Sequence, residues 1–424
     1  MKYRPDIDVL RSIAVLGVVF FHAGFHTALG GYVGVDVFFV ISGYLITKKI
    51  EEEIALGDFS FRNFYENRAR RLFPALFVTV LITFLFSSLL LAADHFKLFA
   101  QSAVWTALSA SNIFFWIDSG YWATDSRLKP LLHTWSLSAE EQFYFFWPFA
   151  LYFLSKYANK SVATALTLAG AVSFVAAAAY FKIDPDAVFF LTPFRVFEFV
   201  VGAVLVWLER RPKRQMSRNA LSSIGICVVI SSIITFRPHT PTALVILPCI
   251  GAAFMIWGSV APSLERIWNN PVSVYLGRIS YSIYLVHWPI MVFYQYWRFN
   301  EIQQSERIAL VIASVLAAIP LHHFVEQRYR RGVAGTRLRF AFAWGSLSAL
   351  LVVSGAIAST MIRPQIPPLS DPWIMERVSR PACEEGFGLC ITSHPDVVLV
   401  GDSHAAHYAP AIAETLKQSK LLGS

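Results

Sequence analysis

Apolar runs of about twenty residues recur along nearly the whole chain, and that recurrence limits the possible folds more than any other feature. Inside a bilayer no water satisfies backbone N–H and C=O groups, so only helices and closed barrels can cross. The runs lie near Val9–Phe25, Val33–Ile50, Leu72–Ala92, Leu137–Ser155, Val162–Phe181, Phe190–Leu208, Ala220–Phe236, Thr242–Val260, Val274–Tyr296, Ile308–Val325 and Phe340–Ile362. Their length suits helices. The predicted fold is an all-α polytopic membrane protein of about eleven transmembrane helices. Only 15% of the residues are charged, where a soluble domain has about a quarter. The net charge of +8 does not point to nucleic acid, because the basic residues gather in short loops between the runs. The first run carries Arg11 and has no small-residue cleavage site, so it reads as a retained span and not as a signal peptide.

A further run, Phe96–Ile117, is ambiguous by length, and charge decides how to treat it. Three loops are rich in Lys and Arg: one with Lys48, Lys49, Arg62, Arg68, Arg70 and Arg71, one with Arg210, Arg211, Lys213, Arg214 and Arg218, and one with Arg328, Arg330, Arg331, Arg337 and Arg339. All three fall on the cytoplasmic side only if Phe96–Ile117 does not cross. It is therefore expected to be interfacial or re-entrant, in keeping with its interface-loving Trp105, Trp116, Tyr121 and Trp122. The N-terminus is then cytoplasmic, and the tail after Ile362 lies outside. The expected layout is a membrane domain at 1–335, a connecting transmembrane helix at 336–363, an exported Pro-rich linker at 364–395 and a further segment at 396–424. Cys383 and Cys390 sit in the exported part, where a local disulfide is permitted. Cys227 and Cys249 lie in spans and read as packing residues.

Ionisable side chains inside spans are costly and mark function by default. Arg11 and His22 are eleven residues apart, about three helical turns, so they share a face roughly 16 Å apart along the axis. Asp36 enters the second span at a depth where it can meet His22, and an Asp–His pair would orient the imidazole as a general base. His133, Glu140, Glu141, Gln142 and Tyr144 crowd the fourth span, Arg278 and His287 lie in the ninth, and Glu326 follows the tenth. Arg195 and Glu198 are spaced to pair with each other. Together these residues imply a polar cavity. Arg68 and Arg71 project together from the start of the third helix and could clamp a phosphate. No metal-ligand spacing stands out, so no metal is expected.

Five stretches occur in order: Arg11 to His22, the block Gly30–Leu45, the R-A-R-R-L-F-P block at Arg68–Pro74, H-T-W-S-L-S-A-E-E-Q-F-Y at His133–Tyr144, and Y-S-I-Y-L-V-H-W-P at Tyr281–Pro289. In these the chain resembles the acyltransferase-3 family of integral-membrane O-acyltransferases. The resemblance implies transfer of an acyl group, usually acetyl, from cytoplasmic acyl-CoA (acetyl-CoA) to a hydroxyl of an envelope glycan such as lipopolysaccharide O-antigen or peptidoglycan. It implies residence in the bacterial cytoplasmic (inner) membrane. By the same resemblance His22 is the catalytic histidine, supported by Arg11 and Asp36. Arg68 and Arg71 match a motif associated with acyl-CoA, and Glu140, Tyr144 and His287 match positions along the substrate path.

The segment Asp396–His407, D-V-V-L-V-G-D-S-H-A-A-H, runs an apolar strand into Gly-Asp-Ser. It resembles the first block of SGNH-type esterases and acetyltransferases, with Ser403 as nucleophile. The sequence continues only to Ser424, so the expectation is the beginning of a truncated α/β domain in which Ser403 is inert. A different class of function, a proton-coupled transporter using the same polar path, would call for two related halves. No internal repeat is apparent, and a transporter leaves the Ser403 block unexplained.

Overall fold

The computed structural model describes residues 3–119, 125–157, 161–210, 215–238, 240–258, 266, 270–298 and 302–330. The chain divides into two units, 1–361 and 362–424, and every described residue belongs to the first. The connecting helix, the linker, Cys383, Cys390 and Ser403 lie outside the described residues.

The described residues are helical, with no strand among them. Helix α1 is Pro5–His22, with Pro5 in its first turn and Asp6 and Asp8 at its positive end. Helix α2 is Gly34–Ala55 and α3 is Phe61–Leu90. Two short helices follow, α4 at Ala93–Ala107 and α5 at Ser111–Ile117. They divide the run Phe96–Ile117 at Ser109, whose φ of 55° is left-handed. Helices α6 (Thr134–Tyr157), α7 (Val162–Tyr180), α8 (Pro185–Phe190) and α9 (Val196–Leu208) come next. Helices α10 (Gln215–Thr235) and α11 (Thr242–Gly258) precede α12 (Pro271–Arg278) and α13 (Ser280–Arg298). Last is α14, Gln304–Pro320, which runs into a π-helical turn at Leu321–Glu326.

Every described run expected to span carries a helix, but two are broken. The run Phe190–Leu208 bends through a 3₁₀ turn at Thr192–Phe194, where Pro193 lacks an N–H to continue the ladder. The run Val274–Tyr296 is split at Ile279. The expectation of about eleven crossings is met only in part among the described residues. Four described stretches, Phe61–Leu90, Val162–Tyr180, Arg218–Thr235 and Gln304–Tyr329, are long and apolar enough to cross a membrane. Val196–Leu208 and Ala243–Gly258 are shorter apolar helices. Helices α1, α2 and α6 carry the ionisable residues of interest, and this dilutes their apolar character.

Helix α2 packs closely on α9 through two glycines. A Cβ at Gly43 would lie 1.9 Å from the Phe199 carbonyl oxygen, and one at Gly202 would lie 1.9 Å from that of Val40. Only glycine permits such backbone contact, the means by which helices associate where apolar burial gives no driving force. At Gly277 of α12 a Cβ would lie 1.8 Å from the Asp8 carbonyl oxygen, which seats that helix on the start of α1. Helices α1, α2, α6 and α13 surround one polar interior.

Candidate active site

A cleft enclosing about 720 Å³ of empty space, part of it open to solvent, lies among α1, α2, α3, α6 and α13. Three cations line it: Arg11 from α1, and Arg68 and Arg71 from α3. The α3 arginines sit about two and three turns into a helix that begins at Phe61, not at a helix start. The Arg68 guanidinium lies over the Tyr144 ring, 4.8 Å from its centroid. Arg70, between them in sequence, points elsewhere and pairs with Glu66 at 2.8 Å. Arg11 bonds Asp8 at 3.3 Å. Among the described residues, no carboxylate lies within 4.0 Å of Arg68 or Arg71.

Glu140 is the acidic side chain lining the cleft. It accepts hydrogen bonds from the Ser42 hydroxyl and the Tyr144 phenol, and the phenol lies 3.1 Å from Ser42 Oγ. Its neighbour Glu141 accepts from Ser109, and Gln142 Nε2 donates to the Ser109 carbonyl at 3.0 Å. These two side chains of α6 hold the left-handed turn between α4 and α5.

His22, the last residue of α1, meets His287 of α13. His22 Nδ1 and His287 Nε2 are 3.0 Å apart, and the two ring planes differ by 13°. His287 is fully buried, whereas His22 is half-buried. Trp288 packs on the His22 ring at 4.5 Å, and its indole N–H donates to the Lys129 carbonyl at 2.8 Å. His133, just before α6, sets its ring edge-on to His287 with 5.8 Å between centroids.

The cleft and the imidazoles share a wall. Tyr284 lines the cleft, and its ring centroid is 5.3 Å from that of His287, one turn further along α13. The Tyr284 hydroxyl donates to the His133 carbonyl at 3.0 Å and lies 2.6 Å from Ser136 Oγ. Tyr284 was not singled out from the sequence, although its place three residues before His287 on one helix face was the available signal.

Asp36 does not orient His22. It accepts a hydrogen bond from the Arg195 guanidinium, which also pairs with Glu198 at 3.2 Å. Matching depth allowed Asp36 either partner, and the close packing of α2 against α9 decides for Arg195. The pairing of Arg195 with Glu198 is as expected from their spacing. His22, Arg11, Arg68, Arg71, Glu140, Tyr144 and His287 are brought to the two linked sites, and Asp36 is not. Among the described residues no group of three or more His, Cys, Asp or Glu side chains could hold a metal ion.

A family model described as an acyltransferase domain matches residues 4–323. The chain belongs to the acyltransferase-3 family. A second model, an SGNH domain of the kind fused to acyltransferase-3 domains, matches residues 377–422, which include Ser403. The chain is 30% identical over 309 residues to a peptidoglycan O-acetyltransferase of Listeria monocytogenes, covering 68% of this chain and 50% of that protein. It is 30% identical over 369 residues to a protein of Bacillus subtilis provisionally named a peptidoglycan O-acetyltransferase, covering 78% and 55%. It is 28% identical over 383 residues to a provisionally named O-acetyltransferase of Staphylococcus aureus, covering 85% and 63%. This acyltransferase-3 chain therefore spans between half and about three fifths of the length of these curated relatives. No solved structure matches it.

Proposed function

We propose that this chain transfers an acyl group, in the first instance acetyl, from cytoplasmic acyl-CoA to a hydroxyl of a cell-envelope glycan. The observation that carries this reading is the shared wall. A cleft with surplus positive charge adjoins a half-buried imidazole through Tyr284. Arg68, Arg71 and Arg11 suit the phosphates of coenzyme A, since Arg68 and Arg71 have no carboxylate within ion-pair distance among the described residues and Glu140 is the acidic side chain in the lining. The names of the relatives favour peptidoglycan over lipopolysaccharide O-antigen as the acceptor.

In this reading Arg68 and Arg71 hold the donor's phosphates at the cytoplasmic side. The thioester end reaches past Tyr284 towards His22. The imidazole of His22 takes the proton of the acceptor hydroxyl as its oxygen attacks the thioester carbonyl. The C–O bond forms, the C–S bond breaks, and His22 returns the proton to the departing thiolate. The SGNH match supports a second acyl-handling step beyond the membrane.

The test uses the full chain in lipid vesicles with labelled acetyl-CoA and either peptidoglycan fragments or lipopolysaccharide. Label is expected on the glycan and is expected to fall by about 10²–10⁴-fold in His22→Ala, the usual contribution of general base catalysis. Folded protein that neither labels a glycan nor consumes the thioester would refute the reading and favour transport.

A further inference from the structure

The imidazole pair carries more information than its spacing, because the hydrogen bonds around it settle where each proton sits. His287 Nδ1 lies 2.7 Å from the Tyr284 carbonyl oxygen and 3.2 Å from that of Ile283. Carbonyl oxygens only accept, so Nδ1 must carry the hydrogen. A neutral imidazole has one N–H, which leaves His287 Nε2 as a lone pair. That lone pair lies 3.0 Å from His22 Nδ1 and therefore accepts from it. His22 is left with Nδ1–H and a bare Nε2. The opposite assignment would turn the Nδ1 lone pair of His287 on two carbonyl oxygens.

We propose that His287 is a positioning residue for the transfer: through its bond to His22 Nδ1 it holds His22 in the tautomer whose Nε2 is the basic atom. The proposal rests on the reading of His22 as the general base. His287 is fully buried and has no route to the acceptor, so it acts through His22. When His22 takes a proton at Nε2, its Nδ1–H keeps the same partner and the bond becomes charge-assisted, so the protonated form is stabilised without rearrangement. Burial of the partner suits this role, because no water competes for His22 Nδ1. Trp288, anchored to the Lys129 carbonyl, holds the plane of the His22 ring.

Two measurements on the full chain in lipid nanodiscs test the proposal. The first is nitrogen NMR of protein labelled at histidine, with the His22 signals assigned by their loss in His22→Gln. A protonated Nδ1 and a bare Nε2 at His22 are expected, with a mixture of tautomers in His287→Phe. The second is acetyl transfer. His287→Phe is expected to lower kcat by about 10²–10⁴-fold with KM for acetyl-CoA unchanged. His287→Gln is expected to restore most of the loss, because its amide NH₂ can face the Tyr284 carbonyl while its oxygen accepts from His22. A merely space-filling His287 would give no such rescue. A wild-type His22 protonated at Nε2, or a His287→Phe variant with unchanged kcat, would overturn the proposal. Wild-type protein inactive towards every acceptor would overturn the acyltransferase reading, and the NMR assignment would still decide the tautomer.

Discussion

Two groups of arginine, Arg195 at the start of α9 and Arg68 with Arg71 on α3, are treated oppositely. Arg195 is enclosed. Its side chain is 6% exposed, it pairs with Asp36 and Glu198, and Phe39, Trp135 and Phe189 surround it with ring centroids 5.6–5.9 Å away. Arg68 and Arg71 line an open cleft in which Glu140 is the facing carboxylate. A charge held by two carboxylates and closed off by aromatic rings is out of reach of a ligand, and it serves to fix α2 against α9. Cations that outnumber the carboxylate facing them repel one another, and an anion that arrives offsets that cost. Sequence alone puts Arg195 in a span and Arg68 and Arg71 in a basic cytoplasmic loop. Their partners separate the enclosed arginine from the open ones.

The comparison can be broken most sharply at Arg195. Arg195→Leu leaves two buried carboxylates without their cation and should cost about 3–5 kcal/mol. It is expected to abolish folded protein in detergent, measured by thermal unfolding and gel filtration. Retained stability would mean that the enclosed site is not structural. Arg68→Ala and Arg71→Ala should do the reverse. Each removes a charged hydrogen-bond partner worth about 1.5–3 kcal/mol, so KM for acetyl-CoA should rise about 10–100-fold while the melting temperature holds. That KM should also rise with added salt, as expected of a cleft open to solvent.

The smallest effect is expected at a partly exposed pair, Arg298 and Glu306, which sets the floor of the comparison. Glu306 closes a capping box with Gln303 at the start of α14. The Gln303 backbone N–H, Tyr294 and Arg298 hold its carboxyl below the usual carboxylate range. A lowered folded value means that the ionised form stabilises the fold. The contribution is therefore present above the ordinary glutamate pKa of about 4.3 and is lost as pH falls through the lowered folded value. Glu306→Gln should give a slight drop in melting temperature at neutral pH that vanishes in acid. A drop as large as that of Arg195→Leu would show that exposure does not govern these charges.

The apolar runs made the helices legible, because runs of that length have few alternatives in a bilayer. The eleven-residue spacing placed Arg11 and His22 on one face of α1, because helical period is a local property. Breaks were less legible. Ile279 carries no proline or glycine signal of its own, and the split there comes with Gly277 seating against Asp8 of α1. The positions from 331 onwards, Ser403 among them, lie beyond the described residues, so the SGNH resemblance stands on sequence and family match alone.

What the sequence determined by itself was the set of helices, their polar faces and the residue types able to bind phosphate or take a proton. All follow from the period and polarity of neighbouring residues. What only the tertiary structure decided was pairing. His22 could have met Asp36, but it meets His287, 265 positions away. Asp36 goes to Arg195 because two glycines let α2 and α9 touch backbone to backbone. Depth in a helix is written in the chain, but the neighbour at that depth depends on which helices pack together, and that is set by the small residues that let them approach.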